Sequence, residues 1–317
     1  MVAVSEKPIG KIIAVVITVD RADTASRCVA ALFDGSRTPD AVVVVDNGST
    51  PPFVLPSEYR NKARVVRLEH NSGPAGGASA GQRAALDDGA DWVWMIDDDA
   101  VVEPDALETL IEAAQDGETS HYFRAVCYNA TSRDVPFYNS FVYNRVTGLL
   151  RPVPRECYAA PRFPFDACSM AGLFVSAALL QVAGTFDASL FGWYDDTEFT
   201  LRATLSGFHG YAIPASRVLH PSANRRSVRV LGRSFLVLAD DPRRLYYGTR
   251  NCILTQRRLL TRARFAFLFI PTFVGRRLVS IVVLYNNRRA FLRCFLQGVA
   301  DGLHGRHGEL VSGGQIT

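Results

Sequence analysis

The chain has 317 residues, of which 48% are hydrophobic and 21% charged, and its net charge is +4. This length supports one large α/β domain, or one domain plus an extension. No unbroken apolar run is long enough to mark a transmembrane helix clearly, and six scattered cysteines without a Cys-x-x-Cys pair suggest buried free thiols in a reducing compartment rather than a disulfide framework or a zinc site.

The elements follow in order. Lys11 to Val19 reads as a buried strand, too short for a signal peptide. A helix over Ala25 to Phe33 follows, with Asp23-Thr24 as caps and Asp34-Gly35-Ser36 as its end. Ala41 to Val45 is a second strand, finishing in the turn-rich loop Asp46-Asn47-Gly48-Ser49-Thr50. Ala63 to Leu68 is a third, ending at Asn71-Ser72-Gly73-Pro74-Ala75-Gly76-Gly77, with a helix predicted from Ala78 to Asp87. The apolar run Trp92 to Ile96 ends in Asp97-Asp98-Asp99, and a helix follows over Pro104 to Ala114. Such alternation predicts a parallel, Rossmann-like sheet. Tyr122 to Pro152 alternates aromatic and polar residues, as in antiparallel strands or a partly ordered loop. Phe165 to Val175 reads as a strand feeding a short helix. Asp195 and Asp196 open a helix that Gly207 closes, with Asp195 as a candidate cap. A strand over Phe208 to Ile213 and a segment ending in Leu219-His220-Pro221 follow.

The last third reads as helical. Pro242 to Arg264 is one long pattern. Phe265 to Phe273 and Leu278 to Tyr285 are apolar runs broken by Pro271 and Arg276-Arg277, and Arg288 to Asp301 is amphipathic. From Arg225 to Arg306 there are 17 arginines, no lysine and three acids, Asp240, Asp241 and Asp301. Such a tail calls for an anionic partner: nucleic acid, anionic lipid or a pyrophosphate-bearing substrate. Short apolar runs flanked by arginine suit an interfacial anchor. The alternative is that these helices pack on the rest of the chain with arginine solvated.

Polar groups collect where strands end: Thr18 and Asp20, Asp46 and Asn47, Asn71 and Gly73, Asp97 to Asp99. In open α/β sheets that is where ligands bind. Three adjacent carboxylates repel one another, and a divalent cation or ligand donors relieve this; otherwise the triplet is a solvated acidic turn. The glycine-rich segment is neither a Walker loop nor a dinucleotide fingerprint. Gly73, Gly76 and Gly77 either let backbone approach a diphosphate or shape a tight turn.

Together these motifs, over roughly residues 10 to 225, resemble the GT-A family 2 glycosyltransferases. The pattern Asn71-x-Gly73-x-Ala75-Gly76-Gly77 and the aromatic strand running into Asp-Asp-Asp look most like bacterial galactofuranosyltransferases. Tyr246-Tyr247-x-x-Arg250-Asn251 and Asp301-Gly302-Leu303-x-Gly305-Arg306 resemble segments shared with bacterial rhamnosyltransferases. The resemblance implies that Asp97, Asp99 and His220 hold Mn²⁺ or Mg²⁺, and that Asp196 is the catalytic base. It also implies that Asp46 contacts the base or ribose, with Thr18, Asn71, Gly73, Gly76 and Asp98 completing the nucleotide-sugar site. Trp193 and Tyr194 fall near the acceptor. The first strand of the family commonly ends in Thr-Tyr-Asn-Arg; here Thr18-Val19-Asp20-Arg21 lacks the aromatic that would stack on a nucleobase.

The expected architecture is α/β: a GT-A, Rossmann-like, mixed and mainly parallel sheet with helices on both faces, plus a C-terminal helical extension. Residues 1–225 would form the catalytic domain and 226–317 an Arg-rich helical region contacting a membrane surface or another copy in a homo-oligomer. The expected function is inverting, metal-dependent transfer of galactofuranose from UDP-galactofuranose to a glycan or polyprenyl-diphosphate-linked acceptor, with dTDP-rhamnose as alternative donor. The expected location is cytoplasmic, peripheral on the inner face of the plasma membrane. A sugar-phosphate nucleotidyltransferase is disfavoured, because Asp20-Arg21-Ala22-Asp23 stands where a basic, glycine-rich loop is needed. A nucleic-acid partner is not expected, since the tail carries no recognised module.

Overall fold

A computed structural model of the chain describes residues 9–115, 120–221, 225–230, 233–238 and 241–310. Its organising strand, β1 (Ile12–Thr18), is apolar at every position but the last, which suits a strand covered on both faces. Successive side chains alternate. Ile13 and Val15 therefore join one core layer, while Ile12, Ala14 and Val16 join the other.

The chain continues through α1 (Ala22–Phe33), β2 (Ala41–Asp46), β3 (Ala63–Arg67), α2 (Gly73–Asp87) and β4 (Trp92–Asp97). The strands lie in the order β3-β2-β1-β4, all parallel. Next come β5 (Val101–Val102), α3 (Ala106–Gln115), β6 (His121–Asn129), β7 (Ser140–Tyr143), β8 (Leu150–Pro152), β9 (Phe163–Phe165), β10 (Ala167–Cys168), β11 (Leu173–Ser176) and α4 (Ala177–Ala183). They are followed by α5 (Asp195–Leu205) and β12 (His209–His220). β11 runs antiparallel between β4 and β6, and β12 returns parallel to β6. The sheet is thus mixed and mainly parallel, as expected. Helices α1 and α3 cover one face, and α2, α4 and α5 the other. β7, β8 and β10 form a small antiparallel sheet of their own, in keeping with the alternation read in that stretch.

Three local expectations are corrected. α2 begins at Gly73, not Ala78, so Gly76 and Gly77 are helical and Gly73, with φ of 73°, opens the helix. A Cβ on Gly77 would lie 2.6 Å from Ile17 Cγ2, and Gly81 abuts Val15; the glycines let α2 settle on the sheet. β12 runs unbroken to His220, with a bulge between Ile213 and Arg217 absorbing Pro214. The C-terminal third opens with a hairpin, β13 (Arg225–Val230) and β14 (Arg233–Leu238), where helix was expected. β-Branched valines either side of the Leu231-Gly232 dipeptide favour that hairpin.

Beyond it, α6 (Pro242–Leu259) packs along the last helix, Arg288–His304. Close approach is possible because a Cβ on Gly298 would lie 2.7 Å from the Tyr246 carbonyl, and one on Gly302 2.8 Å from Ile253. Tyr246 donates its hydroxyl to Asp301, which also pairs with Arg306. The two C-terminal motifs are therefore one packing unit. Between these helices, residues Arg262–Leu284 form a single 23-residue helix. It runs through Pro271 by means of a π turn over Phe265–Phe269, which accommodates the amide that proline lacks. Pro271 and Arg276-Arg277 do not break it, contrary to the sequence reading. Among the described residues this is the one helix long and apolar enough to cross a membrane, and 17% of its most apolar stretch is buried in the protein.

Candidate active site

β4 delivers its acids to the carboxyl edge of the parallel strands. Asp97 is its last residue, and Asp98 and Asp99 form the turn beyond it. β12 ends beside them, because its bulged course carries His220 to the same edge. His220 Nε2 lies 3.3 Å from Asp97 Oδ2 and 3.1 Å from Asp99 Oδ1. One ligand atom from each of the three residues falls within 4.8 Å of the other two. Two carboxylates and an imidazole suit Mn²⁺ or Mg²⁺ better than a soft-ligand metal, so the donor set fits the expected ion.

The charges explain the geometry. Burial draws the His220 imidazole down, but hydrogen bonds and charges from Asp97 and Asp99 outweigh it and push the pKa to about 11. The same contact with His220 holds Asp99 below the usual carboxylate range. Asp98 points elsewhere. It is buried, and burial raises its pKa, while Thr18 Oγ1 donates to it at 2.8 Å and Arg21 pairs with it at 3.0 Å. Arg21 also reaches Asp99 at 3.1 Å. Thr18 and Arg21 therefore brace the acidic turn, a role that strand-end counting did not reveal.

Asp195 and Asp196 open α5, where the helix dipole favours carboxylates. The cap is Tyr194, not Asp195. Both acids are pushed upward, chiefly by burial, and the Asp97 charge raises both further. The acids of β4 and α5 are thus coupled electrostatically, with Asp195 the more strongly raised. Thr197 donates its N–H to Asp196 Oδ1 at 2.6 Å and its hydroxyl to the same oxygen. Among the described residues no protein group donates to Asp196 Oδ2. Glu198 is committed elsewhere, paired with Arg202 at 2.8 Å.

The turn before Asp195 is strained: Phe191, Trp193 and Tyr194 all have positive φ, at 64°, 55° and 79°. α6 holds it there. Asn251 Nδ2 donates to the carbonyls of Leu190, Gly192 and Trp193 at 3.0, 2.7 and 2.8 Å. Arg250 adds a bond to the Leu190 carbonyl at 2.8 Å. On the other side, Ala75 N–H donates to the Phe191 carbonyl at 3.0 Å. Any side chain on Gly73 would collide with that carbonyl. Arg124, fully buried between β6 and β7, donates to Asn139 and Ser140 and draws the Asp196 pKa down. The motif around Asn251 was visible in the sequence; its target was not, and Arg124 carried no signal at all.

Other expected nucleotide contacts fare differently. Asp46 is completely buried. It accepts from the N–H groups of Ser49 and Phe53, each at 2.9 Å, and from Arg67. These bonds outweigh burial and lower its pKa. Asp46 thus holds the loop after β2 in shape, at the strand end where the nucleotide contact is expected. Asn71 Oδ1 accepts from Gly73 N–H at 2.8 Å and from Asn47. The first α2 amides at Gly73 and Ala75 are therefore already used by protein acceptors. Gly73 and Gly76 sit in the first turn of α2 and face Phe191 and Ser72.

With that geometry in hand, residues 13–178 match the family described as glycosyl transferase family 2. The chain belongs to glycosyl transferase family 2. It is a glycosyltransferase, and its fold is GT-A-like. Among its relatives, the galactofuranosyltransferase GlfT1 of Mycobacterium tuberculosis is 29% identical over 82% of this chain and 89% of that protein. The dTDP-rhamnosyl transferase RfbF of Shigella flexneri is 26% identical over 83% and 86%. S. aureus TarS 1-349, solved in complex with UDP-GlcNAc, superposes with a TM-score of 0.55 at 16% identity, over 91% of this chain and 81% of that one. GalNAc-T7, solved with UDP, GalNAc and Mn²⁺, gives 0.56 at 15% identity, over 79% of this chain and about half (48%) of that one. These two likenesses are of fold.

Proposed function

We propose that this family 2 glycosyltransferase is inverting and divalent-metal-dependent, and that it moves galactofuranose from UDP-galactofuranose to a lipid-linked or polysaccharide acceptor in cell-envelope glycan synthesis. One observation carries the reading: Asp97, Asp99 and His220 converge at the sheet edge, within electrostatic reach of Asp196. Relatives named for galactofuranosyl transfer over most of both chains support the donor, and the RfbF likeness makes dTDP-rhamnose the second candidate.

Asp97, Asp99 and His220 are the residues that would hold the ion, and bound there it would offset the charge gathering on the departing nucleoside diphosphate. Thr18 and Arg21 fix Asp98 and Asp99 so that the acidic turn keeps its shape. Asp196 accepts the proton of the acceptor hydroxyl as that oxygen attacks the anomeric carbon. Its raised pKa brings it close to neutrality, where a base works best, and Thr197 occupies one carboxylate oxygen and leaves the other for the acceptor. A single displacement assisted by one base inverts the anomeric centre. Asp195 and Asp196 are both raised by burial and titrate as a pair, so a proton held by the pair spares it a second adjacent charge.

The reading extends to location. Phe267 (80% exposed), Val279 (65%) and Val282 (58%) leave an apolar surface on the 262–284 helix. Crossing a bilayer would carry Arg276 and Arg277 into hydrocarbon at roughly 2.5–3.5 kcal/mol each. Lying at the cytoplasmic face of the membrane leaves them among anionic headgroups. Incubation with UDP-galactofuranose or dTDP-rhamnose, Mn²⁺ or EDTA, and lipid-linked acceptors tests the whole. Mn²⁺-dependent transfer of galactofuranose is expected. Turnover of neither donor, or equal turnover in EDTA, would count against the reading.

A further inference from the structure

A cavity of about 540 Å³ opens between α6, the 262–284 helix and the strained turn before Asp195. That volume suits a small-molecule ligand. Its walls divide by chemistry. Phe273, Tyr285 and Phe291 supply an aromatic side, and Arg244, Arg276 and Arg277 a cationic one. The three arginines are exposed and form no ion pair among the described residues. Arg244 lies over Trp193 at 5.7 Å and Arg277 over Phe273 at 5.9 Å. Asp241, an acid on this wall, caps α6 by accepting from Arg243 N–H at 2.9 Å. Trp193 and Tyr194 also line it, immediately ahead of Asp195 and Asp196 in the chain. Phe273, Arg276, Arg277 and Ser280 come from the helix with the apolar exposed surface.

Unpaired guanidinium groups facing aromatic walls fit a ligand with an anionic head and an apolar chain. We propose that this cavity seats an anionic amphiphile, a phosphate or diphosphate carrying an isoprenoid-like chain, and that it anchors the acceptor beside Asp196. The anchoring role rests on the glycosyl-transfer reading; occupation of the cavity does not.

Farnesyl diphosphate, inorganic pyrophosphate and farnesol are titrated separately into the full chain. EDTA is present throughout, so that no ion can hold a diphosphate at Asp97 and Asp99. Farnesyl diphosphate is expected to bind at least tenfold more tightly than pyrophosphate or farnesol. Arg276→Gln with Arg277→Gln should weaken it at least tenfold, and Ser280→Trp, which fills the cavity, should abolish it. Unchanged Mn²⁺ binding in both variants shows that they fold. Pyrophosphate or farnesol binding as tightly as farnesyl diphosphate, or farnesyl diphosphate binding unaffected in the variants, overturns the proposal. In the transfer assay the same variants should raise KM for a polyprenyl-phosphate-linked acceptor at least tenfold and leave KM for the donor unchanged. An unchanged acceptor KM overturns the anchoring role. Binding as expected with no transfer from any donor overturns the glycosyl-transfer reading and leaves the cavity assignment standing.

Discussion

In the proposed mechanism His220 is where a proton and a divalent ion compete. In the metal-free protein the two carboxylates push its pKa to about 11, so the imidazole carries a proton throughout the working range, and an ion must displace it. Mn²⁺ affinity should therefore rise with pH, by up to about tenfold per unit between pH 6 and 8; calorimetric titration at several pH values measures it. An affinity that falls or stays flat would mean that the imidazole is not a ligand. The proposed base shares this dependence, since it too acts only once its proton is lost. Asp196 must be ionised to act, and its pKa lies above the ordinary carboxylate range. The acid limb of kcat should accordingly fall in mildly acidic solution instead of near pH 4. At this scale the sequence was most informative where chemistry is local. The triple Asp after an apolar strand and the His220 position were legible. The bonds by which Asp46 braces its own loop were not legible, because a strand-end carboxylate can turn back on its own chain and only the fold shows it.

Among the elements, α6 matters more than its distance in sequence suggests. Asn251 satisfies three carbonyls of a turn that its own residues would not adopt. Asn251→Ala should cost on the order of 2–4 kcal/mol, since buried carbonyls lose their donor, as urea unfolding would report. It should lower kcat more than it raises KM for the donor, because the turn positions Asp196 and not the acids of β4. Equal stability to wild type would show that the clamp is dispensable. Periodicity found the parallel strands and most helices; it missed the start of α2 at Gly73, because glycine is a poor helix former and only packing against Ile17 and Phe191 makes it necessary there. The hairpin at Arg225–Leu238 was hidden for a related reason. Arginine content dominated the reading of that stretch, and strand pairing depends on a partner that local composition does not announce.

For the whole molecule, the question left by the sequence was whether the basic tail packs or lies on a membrane. The structure divides it. α6 and the last helix are bound into the protein through Asn251, Arg250 and Asp301, and the 262–284 helix keeps apolar residues outside. Phe267→Glu with Val282→Glu should reduce co-flotation with anionic vesicles at least tenfold, given roughly 1.5–3 kcal/mol for each large apolar side chain buried. Melting temperature should change little. Binding of the wild type should weaken as salt rises. Flotation equal to wild type would place the contact elsewhere.

The account stands on acids from two distant parts of the chain serving one reaction in different roles. The most direct measurement is the rate of sugar transfer, set beside Mn²⁺ and UDP binding, in Asp196→Asn and His220→Ala. Asp196→Asn is expected to bind both like wild type and turn over at least a hundredfold more slowly, while His220→Ala should lose Mn²⁺ affinity first and recover part of its rate at high Mn²⁺. Transfer at the wild-type rate by Asp196→Asn, or Mn²⁺ binding untouched by His220→Ala, would contradict it.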